Sequence, residues 1–361
     1  MKILNKYILK ELGPKFLTSL LLFTFILLMD QMFDLADLLL NKKVGLMNTA
    51  KLFIYVMPSL FIFTVPIAIL SAITLLFARL GEDNEITAMR TAGISPLILI
   101  KPITVVAAVL SAVMIYFNAT VAPAANSKFK TLYYQILYKN PIMQFSEKSF
   151  IQIQNYSIYV KNITKNGLFK DLLIYQWSDN GPIITTAKSA ELLIVEEKGL
   201  LFRMRDGNVL QESAKKNAEI NLMKFEDNEM ILALNTNTDF LLNRESSFRE
   251  LKSSALRKKA RISAPDKKHL YEKEFHMRIA IGCASLFFVF IAAPLSISIK
   301  KRAKGYGITA TIIIIFVYYI LLIFASTISE KNIIPPHIAV WIPNLMIGIT
   351  GLAMTLKLGK S

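Results

Sequence analysis

The chain has 361 residues, 53% of them hydrophobic, and a mean hydropathy of +0.44. That much apolar surface excludes an ordinary soluble globule, whose exterior needs more charge. The net charge of +16 is gathered beside apolar runs, where it speaks of membrane orientation and not of nucleic acid.

The N-terminus has a basic start and then an apolar run, Phe16–Met29. Only 14 residues long, the run is too short to cross a bilayer alone, so a helix is expected from near Leu12 to beyond Asp30. No small-residue cleavage site follows, which predicts an uncleaved first span. Asp30, Asp34 and Asp37 fall at i, i+4 and i+7, one stripe beside Phe33. Such a stripe faces either a protein-lined cavity or water beyond the membrane. Lys42 and Lys43 come next, and with the stripe and Phe33 they are the candidate substrate-cavity residues.

Five more charge-free runs have spanning length: Leu52–Ala78, Pro102–Ser127, Ile279–Ile299, Gly305–Ser329 and Asn332–Leu356. Pro58 and Pro66 are expected to bend the second, and Pro123 and Pro141 bracket the exit from the third. Between the second and third lies RLGEDNEITAMRTAGISP, residues 79–96. Asp83 or Asn84 suits a helix cap, Ile86, Met89 and Arg90 follow at helical spacing, Gly93 suits a helix end, and Pro96 stops continuation. This predicts about two turns of helix at the membrane surface, near 82–93, with Glu85, Ile86 and Met89 facing a partner. The alternative is a plain solvated loop.

From Phe145 to about Leu234 the pattern changes to period two, with turn signals such as Asn166-Gly167 and Asp206-Gly207-Asn208. About seven to nine short strands are expected, in a sandwich, a jelly roll or an open barrel. A basic linker, Arg244–Lys273, leads into the fourth span, which opens with His276 and Arg278. No acidic or basic residue lies deep in the last five runs, which argues against an ion-coupled transporter.

Lys and Arg in short loops set the orientation. With the N-terminus in the cytoplasm, thirteen lie inside, among them Lys300–Lys304, against four outside. The β-rich block, too long to enter that count, then lies outside the cytoplasm. Catalytic signals are lacking. His269, His276 and His337 show no metal-ligand spacing, and the lone Cys283 permits no internal disulfide. The terminal Leu358-Gly359-Lys360-Ser361 lacks the first glycine of a phosphate-binding loop. No cofactor is expected on this chain.

NKYILKE at the start, NEITAMRTAGIS in the charged loop, VAP after the third span and EFHMRIAIG…APLSI at the fourth resemble the LptF/LptG permease family over nearly the whole chain. The fourth span is nearer to the LptF branch. The resemblance implies a polytopic α-helical membrane protein with six transmembrane helices and an inserted periplasmic all-β jelly-roll domain. The parts are expected at 1–124 (helices 1–3), 125–270 (jelly roll and linkers) and 271–361 (helices 4–6). It implies the permease subunit of an ABC transporter that exports lipopolysaccharide from the inner membrane. The partners would be a paralogous permease or a second copy, an LptB-type ATPase dimer holding the ATP and Mg, and LptC- and LptA-type periplasmic proteins. Glu85, Ile86, Met89, Arg90 and Gly93 match the ATPase-docking coupling helix, and Glu85 the glutamate that enters the ATPase groove. The aspartates at 30, 34 and 37 depart from the family, which often carries a basic residue there, so the headgroup carried is the weakest transfer. A membrane-anchored envelope scaffold without transport is the alternative.

Overall fold

A computed structural model describes residues 2–40, 44–139, 145, 147–153, 155–164, 167–177, 181–195, 199–212, 220–232, 247–298 and 306–360. Two compact units result, one from residues 1–130 and 246–361, the other from residues 131–245.

The first unit is helical. Helix α1 spans Lys2–Leu40, α2 Leu46–Glu82, α3 Glu85–Thr91 and α4 Pro96–Tyr116. A π turn, Phe117–Val121, leads into α5, Ala122–Lys139, whose first residues belong to this unit. After a 3-10 turn at Phe248–Glu250 come α6 (Ser253–Ile262), α7 (Pro265–Ser298), α8 (Tyr306–Glu330), α9 (Pro336–Ala339) and α10 (Ile342–Lys360). Six segments among the described residues are long and apolar enough to cross a membrane: Lys2–Phe33, Leu46–Glu82, Pro96–Ile136, Lys267–Ile297, Gly307–Glu330 and Pro336–Leu358. They match the six expected runs. The first helix starts ten residues before the expected Leu12, because Ile8 and Leu12, one turn apart, are both buried in the core.

That core joins α2 to all the other long helices of the unit. Ile69, Leu70, Ile73, Leu76, Phe77 and Leu80 of α2 are fully buried among residues of α1, α4, α7 and α8. Outward, α8 exposes Ile312, Ile313, Phe316, Ile320, Ile323 and Phe324. In water this face would be costly; against lipid tails it is the expected surface. Since lipid is as apolar as leucine, close packing and polar stitches hold the helices together instead. Ser19 Oγ donates to Ser71 Oγ at 3.1 Å, the Thr74 and Thr311 hydroxyls are hydrogen-bonded at 2.6 Å, and Asn344 Nδ2 donates to the Ala280 carbonyl at 2.7 Å.

Among the described residues of the second unit, six antiparallel strands lie in sequence order: β1 Ser149–Ile153, β2 Tyr156–Ile163, β3 Leu168–Gln176, β4 Ile183–Val195, β5 Gly199–Glu212 and β6 Ile220–Leu232. The sheet is open, with β1 and β6 at its edges, so among the described residues it closes into neither a sandwich nor a barrel.

The described strands are fewer and longer than expected, for a specific reason. Inward residues step by two along each strand except at one row, where they step by three: Phe169 to Leu172, and Ala187 to Ala190, all four at most 4% exposed. Two outward residues in succession mark the row, Lys170-Asp171, Lys188-Ser189 and Arg205-Asp206. Hydrogen-bonded pairing stops at the row and resumes beyond it in the same register, as in Val160↔Leu172 and Asn162↔Lys170. Asp171 and Asp206 take left-handed φ values of 53° and 51° there. Lys161 pairs with Asp171 at 3.1 Å and Lys188 reaches Asp206 at 4.0 Å. The row is a charged crease across the sheet. A period-two reading loses phase at it and counts one long strand as two. The apolar face on either side, with Phe145, Phe169 and Phe202 in mutual ring contact, forms this unit's own core.

Candidate functional site

The charged loop is a helix, ended at Gly93 and Pro96 as expected, though no side chain caps its start. Asn84 stands at the N-cap of α3 in the left-handed conformation. Gly93, at φ +78°, ends it: its N–H reaches the Arg90 carbonyl and the Ile94 N–H the Met89 carbonyl, each at 2.9 Å. Ser95 Oγ then accepts from Leu97 N, and Pro96 opens α4.

The orientation of α3 differs from the sequence expectation. Ile86 is 7% exposed within the bundle core, and Met89 packs against the same core. The bundle claims these two apolar side chains, since burying them there removes them from water without any partner. The face left to solvent carries Thr87, Ala88, Arg90 and Thr91. Glu85 lies between: both of its carboxylate oxygens accept from Tyr7 Oη, at 2.8 and 2.9 Å. One turn further along α1, Glu11 is ion-paired with Lys15 and with Arg79 of α2, and Arg79 Nε also meets Asp83 Oδ2 at 3.2 Å. Thus α3 is tied to α1 through Tyr7, while Arg79 links the end of α2 to α1 through Glu11 and pairs with Asp83, the C-cap of α2 two residues before α3 begins. No sequence signal foretold this latch, whose closing contact spans 78 residues.

The candidate cavity residues fare unevenly. Asp30 and Phe33 lie on α1, Phe33 73% exposed. Asp34 and Asp37 are within the same helix, which confirms that it continues past Asp30, but their side chains lie outside the described residues, as do Lys42, Lys43, Pro141 and the basic cluster 300–304.

A second polar node sits where the linker meets α7. Arg278, 7% exposed, donates to the carbonyls of Leu251 at 2.7 Å and Phe248 at 2.9 Å, and to Glu274 Oε1 at 3.0 Å. On its other side the π turn carries Asn118 inward, and Asn118 Nδ2 donates to the Arg278 carbonyl at 3.2 Å. Beside this node lies a mainly apolar cavity of about 390 Å³, lined in part by Ile62, Phe63, Met277 and Leu322. Among the described residues no cluster of His, Cys, Asp or Glu could hold a metal ion.

Six spans, a short surface helix clamped to the first of them and an inserted open β-sheet define a multi-pass membrane subunit of the permease class. The chain matches the lipopolysaccharide export system permeases LptF/LptG over residues 6–357, and it belongs to that family. It is also 21% identical over 338 residues to an uncharacterized protein of Rickettsia prowazekii (strain Madrid E), covering 90% of this chain and 92% of that one. Family and fold together support a role as a lipopolysaccharide-transport permease, a class without catalytic machinery of its own.

Proposed function

We propose that this chain is one of two permease subunits that draw lipopolysaccharide from the outer leaflet of the bacterial inner membrane. The termini are cytoplasmic, the β-sheet unit is periplasmic, and the paired permeases enclose the cargo. An LptB-type ATPase dimer binds below, on α3, and supplies ATP and Mg. The cargo passes to a bridge of β domains that includes LptC- and LptA-type proteins. The observation that carries this reading is the family match over residues 6–357 of a chain with six spans.

The energetics require such a machine. Each CH₂ withdrawn from the bilayer costs ~0.8 kcal/mol, so exposing one chain of about ten such groups costs roughly 8 kcal/mol. A lipid with several chains therefore leaves only with an energy source and a dry path. The apolar face of the folded sheet is suited to be that path. The latch is suited to deliver the energy, because a force on α3 passes into α1 through Tyr7–Glu85 and into the bundle core, α2 included, through the buried Ile86. A carboxylate offers about four acceptor positions, so Glu85 can keep Tyr7 and still meet a cation on the ATPase.

Co-purification from native membranes tests the docking. Wild-type protein is expected to bring down an ABC ATPase, and Glu85→Arg to lose or uncouple it. Tyr7→Phe, which keeps the carboxylate, is expected to retain the ATPase. If no ATPase accompanies the wild type, a membrane-anchored scaffold accounts better for the fold.

A further inference from the structure

The three histidines are far apart in sequence, yet the fold brings two together. His276 of α7 and His337 of α9 have ring centroids 6.1 Å apart. They border a cavity of about 780 Å³ together with Arg257 and Arg261 of α6 and Lys268 of α7. One carboxylate, Glu272, joins them, 3.9 Å from Lys268 Nζ. Three permanent cations therefore share one carboxylate around an open basin. Among the described residues, neither arginine forms an ion pair.

The local sequence explains the arrangement. Arg257 and Arg261 are one helical turn apart, so both project from the same face of α6, while Leu256 and Ala260 anchor the neighbouring face. Arginine presents a rigid fork of donors that fits phosphate oxygens in pairs, and an imidazole ring adds an N–H donor. The basin's position narrows the ligand. It sits where α7 enters its span at Lys267, the level at which headgroups lie. Its rim is apolar on one side, where Ala260, Tyr271 and Phe275 complete the lining. A free ion has no use for such a rim, whereas an amphiphile can lay acyl chains against it.

We propose that this basin binds the phosphate-bearing headgroup of an anionic glycerophospholipid of the surrounding leaflet, as a site separate from the cargo path. It rests on the six-span architecture and not on the export reading. The test accordingly uses neither ATP nor lipopolysaccharide.

The full-length chain, delipidated in neutral detergent, is titrated with phosphatidylglycerol and with phosphatidylcholine and followed by native mass spectrometry. Preferential retention of phosphatidylglycerol is expected. The R257Q/R261Q double variant should bind it about 30-fold more weakly, and Lys268→Gln alone about 5-fold, as expected for loss of surface cations. All three side chains are exposed, so the unliganded variants should melt as the wild type does. Excess inorganic phosphate should leave lipid binding unchanged. Equal retention of the two lipids, or unchanged affinity in both variants, overturns the site. Competition by inorganic phosphate overturns the lipid assignment and makes the basin a free-anion site.

Discussion

Replacing Arg278 by leucine is expected to lower the melting temperature of the detergent-solubilised protein by about 10 °C, the largest single-residue loss foreseen here. The guanidinium is buried at 7% exposure and serves two backbone carbonyls and Glu274 at once. Leucine fills much of the volume but leaves Phe248 O, Leu251 O and a partly buried carboxylate without their donor. Breaking a buried pair from one side typically costs about 3–5 kcal/mol, because the remaining charge stays where it is. Arg278→Lys keeps the charge but has no fork to reach both carbonyls, so an intermediate loss is expected. Thermal melts of the three proteins in one detergent decide the matter; equal melting points would show that the linker is held by other contacts.

A single methyl group at position 351 should have an effect nearly as large. A Cβ built on Gly351 of α10 falls 2.5 Å from the Phe290 carbonyl carbon of α7, closer than Cβ atoms come to backbone. Both partners are main chain, so no side chain can swing away and the helices must separate. Overpacking of this kind costs about 1–3 kcal/mol. The same substitution at Gly13 of α1 meets nothing within 4 Å, and there alanine should stabilise the helix by about 1 kcal/mol. Gly351→Ala should thus melt several degrees below wild type, and Gly13→Ala at or above it. Two alanines moving together would show that helix propensity, not close approach, governs these positions.

The spans were legible because a charge-free run of spanning length has few other uses, and all six runs recur as helices. The end of α3 was legible because Gly93 and Pro96 act locally. Its facing was not: helical spacing put Ile86 and Met89 on one side, but only the bundle decides whether that side looks inward. The strand count failed at the crease, where two outward residues in a row break the alternation that defines a strand. Contacts between distant segments left no trace in the sequence at all, neither Tyr7 with Glu85 nor His276 with His337.

The most direct test of the central claim is reconstitution of the chain, with its partner permease and ATPase, into liposomes holding lipopolysaccharide. Release to a soluble β-domain acceptor is then followed with and without ATP. The account predicts ATP-dependent release that Glu85→Arg abolishes; ATP hydrolysis without release of lipopolysaccharide would contradict it.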